Sequence, residues 1–248
     1  GEKNAGLVAA GILNPAKKLG DESEPFLLEI KVPYVLGIMA NRELDSFTPG
    51  INDLLYGNSE HNLISVEEKM VKGKVAIEAL KNYKEAKKAN DESLMKSSLS
   101  NLESNLNFLG YGYLKDAKEA VPPVALTFYS FHIMVVLGTY FMALFAITLY
   151  LNLSRKYKFE NIRAFLWICL FTIPLGYIAA EAGWIVAEVG RQPWVIQDLM
   201  TVGVGATNLA DSNIKISFIL FAVLFTVLLI AEIKIMLKQI KIGFNDHA

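Results

Sequence analysis

The chain has 248 residues, 53% of them hydrophobic, and its mean hydropathy of +0.34 is higher than soluble domains usually reach. The formal net charge of −1 argues against a nucleic-acid partner, because proteins that bind polyanions usually carry excess positive charge. With Cys169 as the single cysteine, an intrachain disulfide and a cysteine-based zinc or iron–sulfur site are excluded. Three histidines, at positions 61, 132 and 247, are too few to favour a multi-histidine metal centre.

The extramembrane segment at the start of the chain divides into two parts. Residues 1–58 contain turn signals, such as Asn14-Pro15 and Val32-Pro33, and we expect them to be irregular. Residues 64–108 have apolar side chains at helical spacing, with a break at Asn90-Asp91. This pattern predicts two amphipathic helices that lie on the membrane or on the rest of the protein. A soluble helical hairpin without a contact function is the alternative.

Three long apolar runs follow. The first, residues 124–151, contains no charged residue and is preceded by Pro122-Pro123, which suits the first turn of a helix. The others centre on residues 164–180 and 216–231. Each should be helical, because backbone groups in hydrocarbon must be hydrogen-bonded internally. The sequence therefore predicts an all-α integral membrane fold: three transmembrane helices of a larger helical bundle (121–248), preceded by an extramembrane loop with amphipathic helices (1–120).

The distribution of positive charge predicts how these helices are oriented. The loop at 153–163 and the tail after the third helix are both basic, whereas the loop at 190–213 carries Arg191 among acidic residues. The basic residues of the first loop and the tail are Arg155, Lys156, Lys158, Arg163, Lys234, Lys238 and Lys241. By the positive-inside rule, the first loop and the C-terminus are cytoplasmic, and residues 1–120 lie outside.

The second apolar run carries an unusual polar face. Glu181, Trp184 and Glu188 are spaced so that they share one side of a helix. Ionisable residues within a membrane span cost a few kcal/mol, so this face indicates a functional site. The alternative for Glu188 is that its carboxylate reaches the membrane interface.

The sequence GRQPW at 190–194 follows this helix directly. Gly190 and Pro193 end the helix, and Trp194 is typical of the aromatic belt at the membrane interface. Arg191 has a planar five-donor side chain that matches carboxylates such as haem propionates. The alternative is that Arg191 simply follows the helix end and extends its charge to the lipid headgroups.

His132 and Met134 lie in the first apolar run and are the candidate metal or haem ligands there. Two residues apart on a helix, they point roughly 200° away from each other, so they cannot serve one site. A lone membrane histidine is more often a hydrogen-bonded residue between helices, and Met134 by itself would be read as apolar filler. The pattern leaves both interpretations open.

The sequence resembles subunit I of cytochrome bd-type quinol oxidases. The residues that carry the resemblance are 181–184 (EAGW), 187–194 (AEVGRQPW), 133–135 (IMV) and the segment 31–38 with Arg42 and Asp45. The resemblance implies that the chain contains most of a quinol-binding loop and the last three of nine helices. Because the chain begins with Gly1, we expect that it was cut from a longer protein inside that loop; tag removal or processing is the alternative.

The resemblance also implies roles for individual residues. Met134 matches the axial ligand of the low-spin haem b, and Glu188 the acid at the iron of the high-spin haems. Trp184 matches a tryptophan between haems, Arg191 matches an arginine near that haem group, and Glu181 lies on the same face as Trp184. His132 stands where an arginine is common in the family. The implied quinol-binding residues are Lys31, Tyr34, Arg42 and Asp45.

The implied activity is oxidation of a membrane quinol and reduction of oxygen to water in the bacterial cytoplasmic membrane. The cofactors would be low-spin and high-spin haem b, with haem d or a third haem b. The missing N-terminal half of subunit I and subunit II would be partners, and the isolated chain should be inactive. A haem-free membrane anchor or sensor, whose outer helices bind a partner, is the alternative; a transporter is disfavoured because broken helices are lacking.

Overall fold

The computed structural model describes residues 1–21, 23–43, 45–154, 162–207 and 211–242. The chain forms two compact units, residues 1–205 and 206–248. The basic residues Arg155, Lys156 and Lys158 of the predicted cytoplasmic loop, and His247, lie outside the described residues.

The first 58 residues are more ordered than the sequence predicts. Strand β1 (Glu2–Lys3) pairs with β4 (Phe47–Thr48), and β2 (Leu7–Leu13) forms an antiparallel hairpin with β3 (Phe26–Val32). Two short helices, α1 (Val35–Asn41) and α2 (Ile51–Tyr56), complete this part. The expectation of an irregular segment is therefore wrong for residues 7–13, 26–32, 35–41 and 51–56. The turn signals separate apolar stretches, and these stretches pair as strands because pairing satisfies their backbone groups.

Two helices follow, as the spacing predicts: α3 (Val66–Ala89) and α4 (Glu92–Asn105). Their break lies at Asn90, which adopts a left-handed conformation, and Asp91, whose side chain accepts from the backbone N–H groups of Ser93 and Leu94. Helix α3 packs on a 3₁₀ segment, Leu106–Tyr113, through Gly73. A Cβ on Gly73 would lie 2.3 Å from the Phe108 carbonyl oxygen, so only glycine permits this approach.

The predicted membrane helices are confirmed. Helix α5 (Val124–Leu153) and α6 (Arg163–Val189) pack as an antiparallel pair, and the Tyr140 hydroxyl and Thr172 Oγ1 are 2.7 Å apart across their contact. At 30 and 27 residues, each spans about 40 Å or more. Most of their large apolar side chains are exposed, as expected for surfaces that face lipid or other helices.

After α6 the chain forms a small hairpin, β5 (Trp194–Ile196) with β6 (Met200–Thr201), and a single helical turn, α7 (Val202–Gly205). Trp194 belongs to a buried apolar cluster with Leu55, Val66, Met70, Tyr111 and Leu114. This cluster joins the hairpin after α6 to the α3 region. The second unit contains α8 (Asp211–Ile242), an apolar helix of 32 residues and the third that could cross a membrane.

Candidate functional site

The C-terminal third of α6 carries the two acids and the tryptophan singled out in the sequence. Glu181, Trp184 and Glu188 are all exposed, and 64% of Trp184 is accessible. Within the described residues, neither carboxylate forms a hydrogen bond or a salt bridge. The residues of α6 that are buried, including Thr172 and Ala182, lie on the other side, toward α5. The acidic face is therefore free for a partner other than α5.

Met134 lies on the opposite side of α6 from these acids. A Cβ placed on Gly183 would be 3.2 Å from Met134 Sδ and 3.9 Å from its Cγ. Gly183 thus leaves the space that the thioether occupies between α5 and α6. Met134 and Glu188 do not meet, so they could hold two different groups but not one.

His132 has a hydrogen-bonding partner on each ring nitrogen. Nδ1 is 2.8 Å from the Phe128 carbonyl oxygen, and Nε2 is 2.8 Å from the Val8 carbonyl oxygen in strand β2. Carbonyl oxygens only accept, so in either neutral tautomer one of these two contacts is a hydrogen bond that His132 donates. Both ring nitrogens of His132 thus face backbone carbonyl oxygens. The carbonyls that His132 contacts belong to its own helix and to strand β2, and a ligand role for His132 stays a prediction.

The GRQPW turn separates its two largest side chains. Arg191 is exposed, and its carbonyl accepts from the Trp194 N–H at 3.0 Å. The Gln192–Pro193 peptide bond between them is cis. Trp194 is only 6% exposed and packs edge-on against Tyr111, with ring centroids 4.8 Å apart. The prediction that Trp194 belongs to an interfacial belt is therefore wrong, because apolar residues distant in sequence enclose it.

Tyr111 and Asp198 form a link that the sequence analysis missed. The Tyr111 hydroxyl donates to Asp198 Oδ1 at 2.8 Å, and the Gly110 N–H donates to the Asp198 carbonyl at 2.8 Å. Burial, followed by the hydrogen bond to Asp198, raises the pKa of the Tyr111 phenol. The pair lines a cavity of about 400 Å³ with Leu54, Lys69 and Val121. The two residues are 87 positions apart, and no local pattern joins them.

The four predicted quinol-binding residues all lie between positions 31 and 45. Lys31 is in β3, 3.2 Å from Glu29, and this hydrogen bond raises the pKa of Lys31. Tyr34 and Arg42 flank the seven-residue helix α1 at opposite ends. Asp45 forms a salt bridge with Lys3 at 3.3 Å.

The donor set suits haem better than a bare metal ion. Among the residues that the structure describes, no three His, Cys, Asp or Glu side chains come together as a metal site. A haem iron needs only one or two axial ligands from protein, since the porphyrin supplies the rest. The Met134 thioether, given room by Gly183, and the unpaired Glu188 carboxylate are both donors of the required kind.

These features define a multi-span helical membrane protein whose N-terminal segment contacts its first membrane helix through strand β2. The chain belongs to the cytochrome bd terminal oxidase subunit I family, whose model matches residues 1–244.

Two relatives and one solved structure support this assignment. The chain is 30% identical over 231 residues to cytochrome bd-II ubiquinol oxidase subunit 1 of Escherichia coli (strain K12), covering 86% of this chain and 42% of that protein. It is 36% identical over 124 residues to cytochrome bd ubiquinol oxidase subunit 1 of Bacillus subtilis (strain 168), covering 50% and 26%. The structure of bd oxidase from Geobacillus thermodenitrificans has the same fold, with a TM-score of 0.54 and 21% identity over 98% of this chain and 39% of that one. The chain thus spans less than half the length of these proteins.

Proposed function

We propose that this chain forms part of a terminal respiratory oxidase that oxidises a membrane quinol and reduces oxygen to water. The observation that carries the proposal is the unpaired face of α6, where two carboxylates and an exposed tryptophan lie within an apolar membrane helix. Such groups are costly in hydrocarbon, so in the intact protein they should meet a polar or cationic group. Iron porphyrins satisfy that requirement, and family membership favours them.

Met134 would provide the axial ligand of a low-spin haem b. Thioether ligation raises a haem's potential, which suits an acceptor of quinol electrons. Gly183 supports this assignment, because its missing side chain gives the Met134 sulphur its place between the two helices. The second axial ligand would come from the part of subunit I that precedes this chain.

Glu188 and Trp184 would lie at the high-spin haems, one of haem b and one of haem d or b. The Glu188 carboxylate would offset positive charge on ferric iron, and Glu181 extends the same acidic face. Arg191, exposed just beyond α6, would bind propionates. When bound, the haems supply electron transfer and oxygen reduction, and this chain's residues hold and orient them.

The quinol would bind through the extramembrane segment, where Lys31, Tyr34, Arg42 and Asp45 are the proposed contacts. That segment packs on the end of the α5–α6 pair that carries Val124 and Val189. In this proposal residues 1–120 are extracytoplasmic and the C-terminus is cytoplasmic. Subunit II and the rest of subunit I complete the complex in the bacterial cytoplasmic membrane, and the chain alone is inactive.

A reduced-minus-oxidised absorbance spectrum of the full-length complex tests the proposal. Three haem signals and quinol-dependent oxygen uptake are expected. A complex purified with its missing half that contains no haem would instead point to a membrane anchor or sensor. In that case Glu181, Trp184 and Glu188 should tolerate simultaneous replacement by alanine.

A further inference from the structure

Helix α5 carries an aromatic patch, Phe128, Tyr129 and His132, that holds the β2–β3 hairpin. These three side chains lie within about 100° of one another around the helix, since successive residues turn by about 100° and residues four apart nearly align. His132 Nε2 contacts the Val8 carbonyl oxygen at 2.8 Å, and the Tyr129 hydroxyl accepts from the Leu13 N–H at 3.1 Å. The Phe128 ring packs on Phe26, with centroids 5.4 Å apart. Helix α5 thus holds the hairpin near both ends of β2 and at one residue of β3, Phe26.

The pairing of β2 with β3 is irregular at the same two places. Its register shifts between Val8 and Ala10, and again between Ile12 and Leu13. Shifts of this kind redirect backbone groups away from the partner strand. The Val8 carbonyl and the Leu13 N–H are the groups that α5 binds. The hairpin therefore uses its irregular positions to dock on the membrane helix.

This docking fixes the position of Lys31. Val8, which His132 binds, is paired with Lys31 in the hairpin register. Lys31 is further held by Glu29 at 3.2 Å and Glu2 at 3.9 Å. On the helix, His132 is two residues from Met134 and points to the other side. His132 therefore links the hairpin, which carries Lys31, to the part of α5 that carries Met134.

We propose that His132 and Tyr129 are positioning residues that fix the β2–β3 hairpin, and with it Lys31, at a set place relative to Met134. The inference rests on the proposed function, since Lys31 is one of its quinol contacts. His132 acts through the Val8 carbonyl and binds no iron. Loss of either hydrogen bond should weaken quinol binding while leaving the low-spin haem in place.

The test uses the intact oxidase with its full-length subunits. His132→Leu removes the ring contacts with the Phe128 and Val8 carbonyls, His132→Gln retains an amide donor, and Tyr129→Phe removes only the bond to Leu13. Tyr140→Phe is the matched control, because it removes a hydrogen bond from the same helix at Thr172, away from the hairpin. Each variant is assayed for KM and kcat with a short-chain quinol, and its reduced-minus-oxidised spectrum is recorded.

We expect His132→Leu and Tyr129→Phe to raise KM by about 3- to 10-fold, the range for one lost hydrogen bond of ordinary strength, with a smaller change in kcat. His132→Gln should return KM toward the wild-type value, and Tyr140→Phe should not change it. The low-spin haem signal should keep its amplitude in all four variants. Hydrogen–deuterium exchange of amides 7–13 should be faster in His132→Leu than in Tyr140→Phe, which reports on the hairpin independently of turnover.

Three results would overturn the inference. Wild-type KM in both His132→Leu and Tyr129→Phe, with all haems present and active, would show that docking does not position the quinol site. Loss of the low-spin haem signal in His132→Leu alone would assign His132 to the haem itself. Absence of haem from the wild-type complex would remove the proposed function as well, so the two failures are distinguishable.

Discussion

The sulphur of Met134 lies 3.2 Å from the position that a Cβ on Gly183 would occupy. This contact places the candidate haem ligand in the seam between α5 and α6, where a glycine leaves the necessary room. The acids of α6 face away from the same seam. Met134 and the acids of α6 could therefore hold two separate groups at two places on this helix pair. Each assignment can be tested separately.

Gly183→Val should displace the Met134 side chain, because a branched side chain would fill the space that the thioether occupies. In the full-length complex, the low-spin haem signal should lose most of its amplitude or shift. The signal is measured in a reduced-minus-oxidised spectrum. Gly176→Val is the matched control, since nothing lies within 4 Å of a Cβ at Gly176 on the same helix. Equal effects of the two substitutions would show that helix packing in general, and not Met134, is responsible.

Met134→Leu should abolish the low-spin haem b spectrum, because leucine keeps the volume but has no donor atom. His132→Ala should only shift that spectrum, since both nitrogens of His132 are directed at carbonyl oxygens. Both variants are compared as purified complexes by absorbance. The reverse pattern would make His132 the ligand and refute the assignment of Met134.

Replacing Glu181, Trp184 and Glu188 together by alanine should eliminate the high-spin haem signals while the low-spin signal persists. The reason is that these residues are exposed on the side of α6 that does not contact α5. The check is haem content and spectrum of the assembled complex. Trp167→Ala serves as control, because Trp167 is a similarly exposed tryptophan, 59% accessible, near the other end of α6. Unchanged haem content in the triple variant would favour the anchor or sensor.

Tyr111→Phe should destabilise the packing of the 3₁₀ segment on the β5–β6 hairpin by about 1–3 kcal/mol, since Asp198 loses a partly buried hydrogen bond. The midpoint of thermal unfolding of the complex in detergent measures this effect. Tyr113→Phe, at an exposed tyrosine of the same 3₁₀ segment, should have little effect. If both variants unfold alike, the Tyr111–Asp198 link does not stabilise the segment.

The pH dependence of the Tyr111 contribution follows from its raised pKa. The folded state favours the neutral phenol, so the stabilisation is complete below the unfolded pKa of about 10. It is lost as the pH rises from there through the higher folded-state pKa. Unfolding midpoints measured between pH 9 and pH 11 should therefore fall more steeply in the wild type than in Tyr111→Phe. Parallel curves would contradict this explanation.

The sequence by itself determined the features that depend on neighbouring residues. Apolar runs long enough to cross a membrane predict α5, α6 and α8, and helical spacing with Asn90-Asp91 predicts α3 and α4. The shared face of Glu181 and Glu188 needs only the helical repeat. Family membership also follows from local motifs around GRQPW.

Only the tertiary structure decided the contacts between distant parts of the chain. His132 binds the carbonyl of Val8, 124 positions away, and Trp194 is enclosed by residues of the α3 region instead of facing lipid. Periodicity reports which side of an element is apolar, but it does not report what covers that side. Hydrogen bonds and buried contacts of this kind form only after folding brings the elements together, which is why their partners could not be read from spacing.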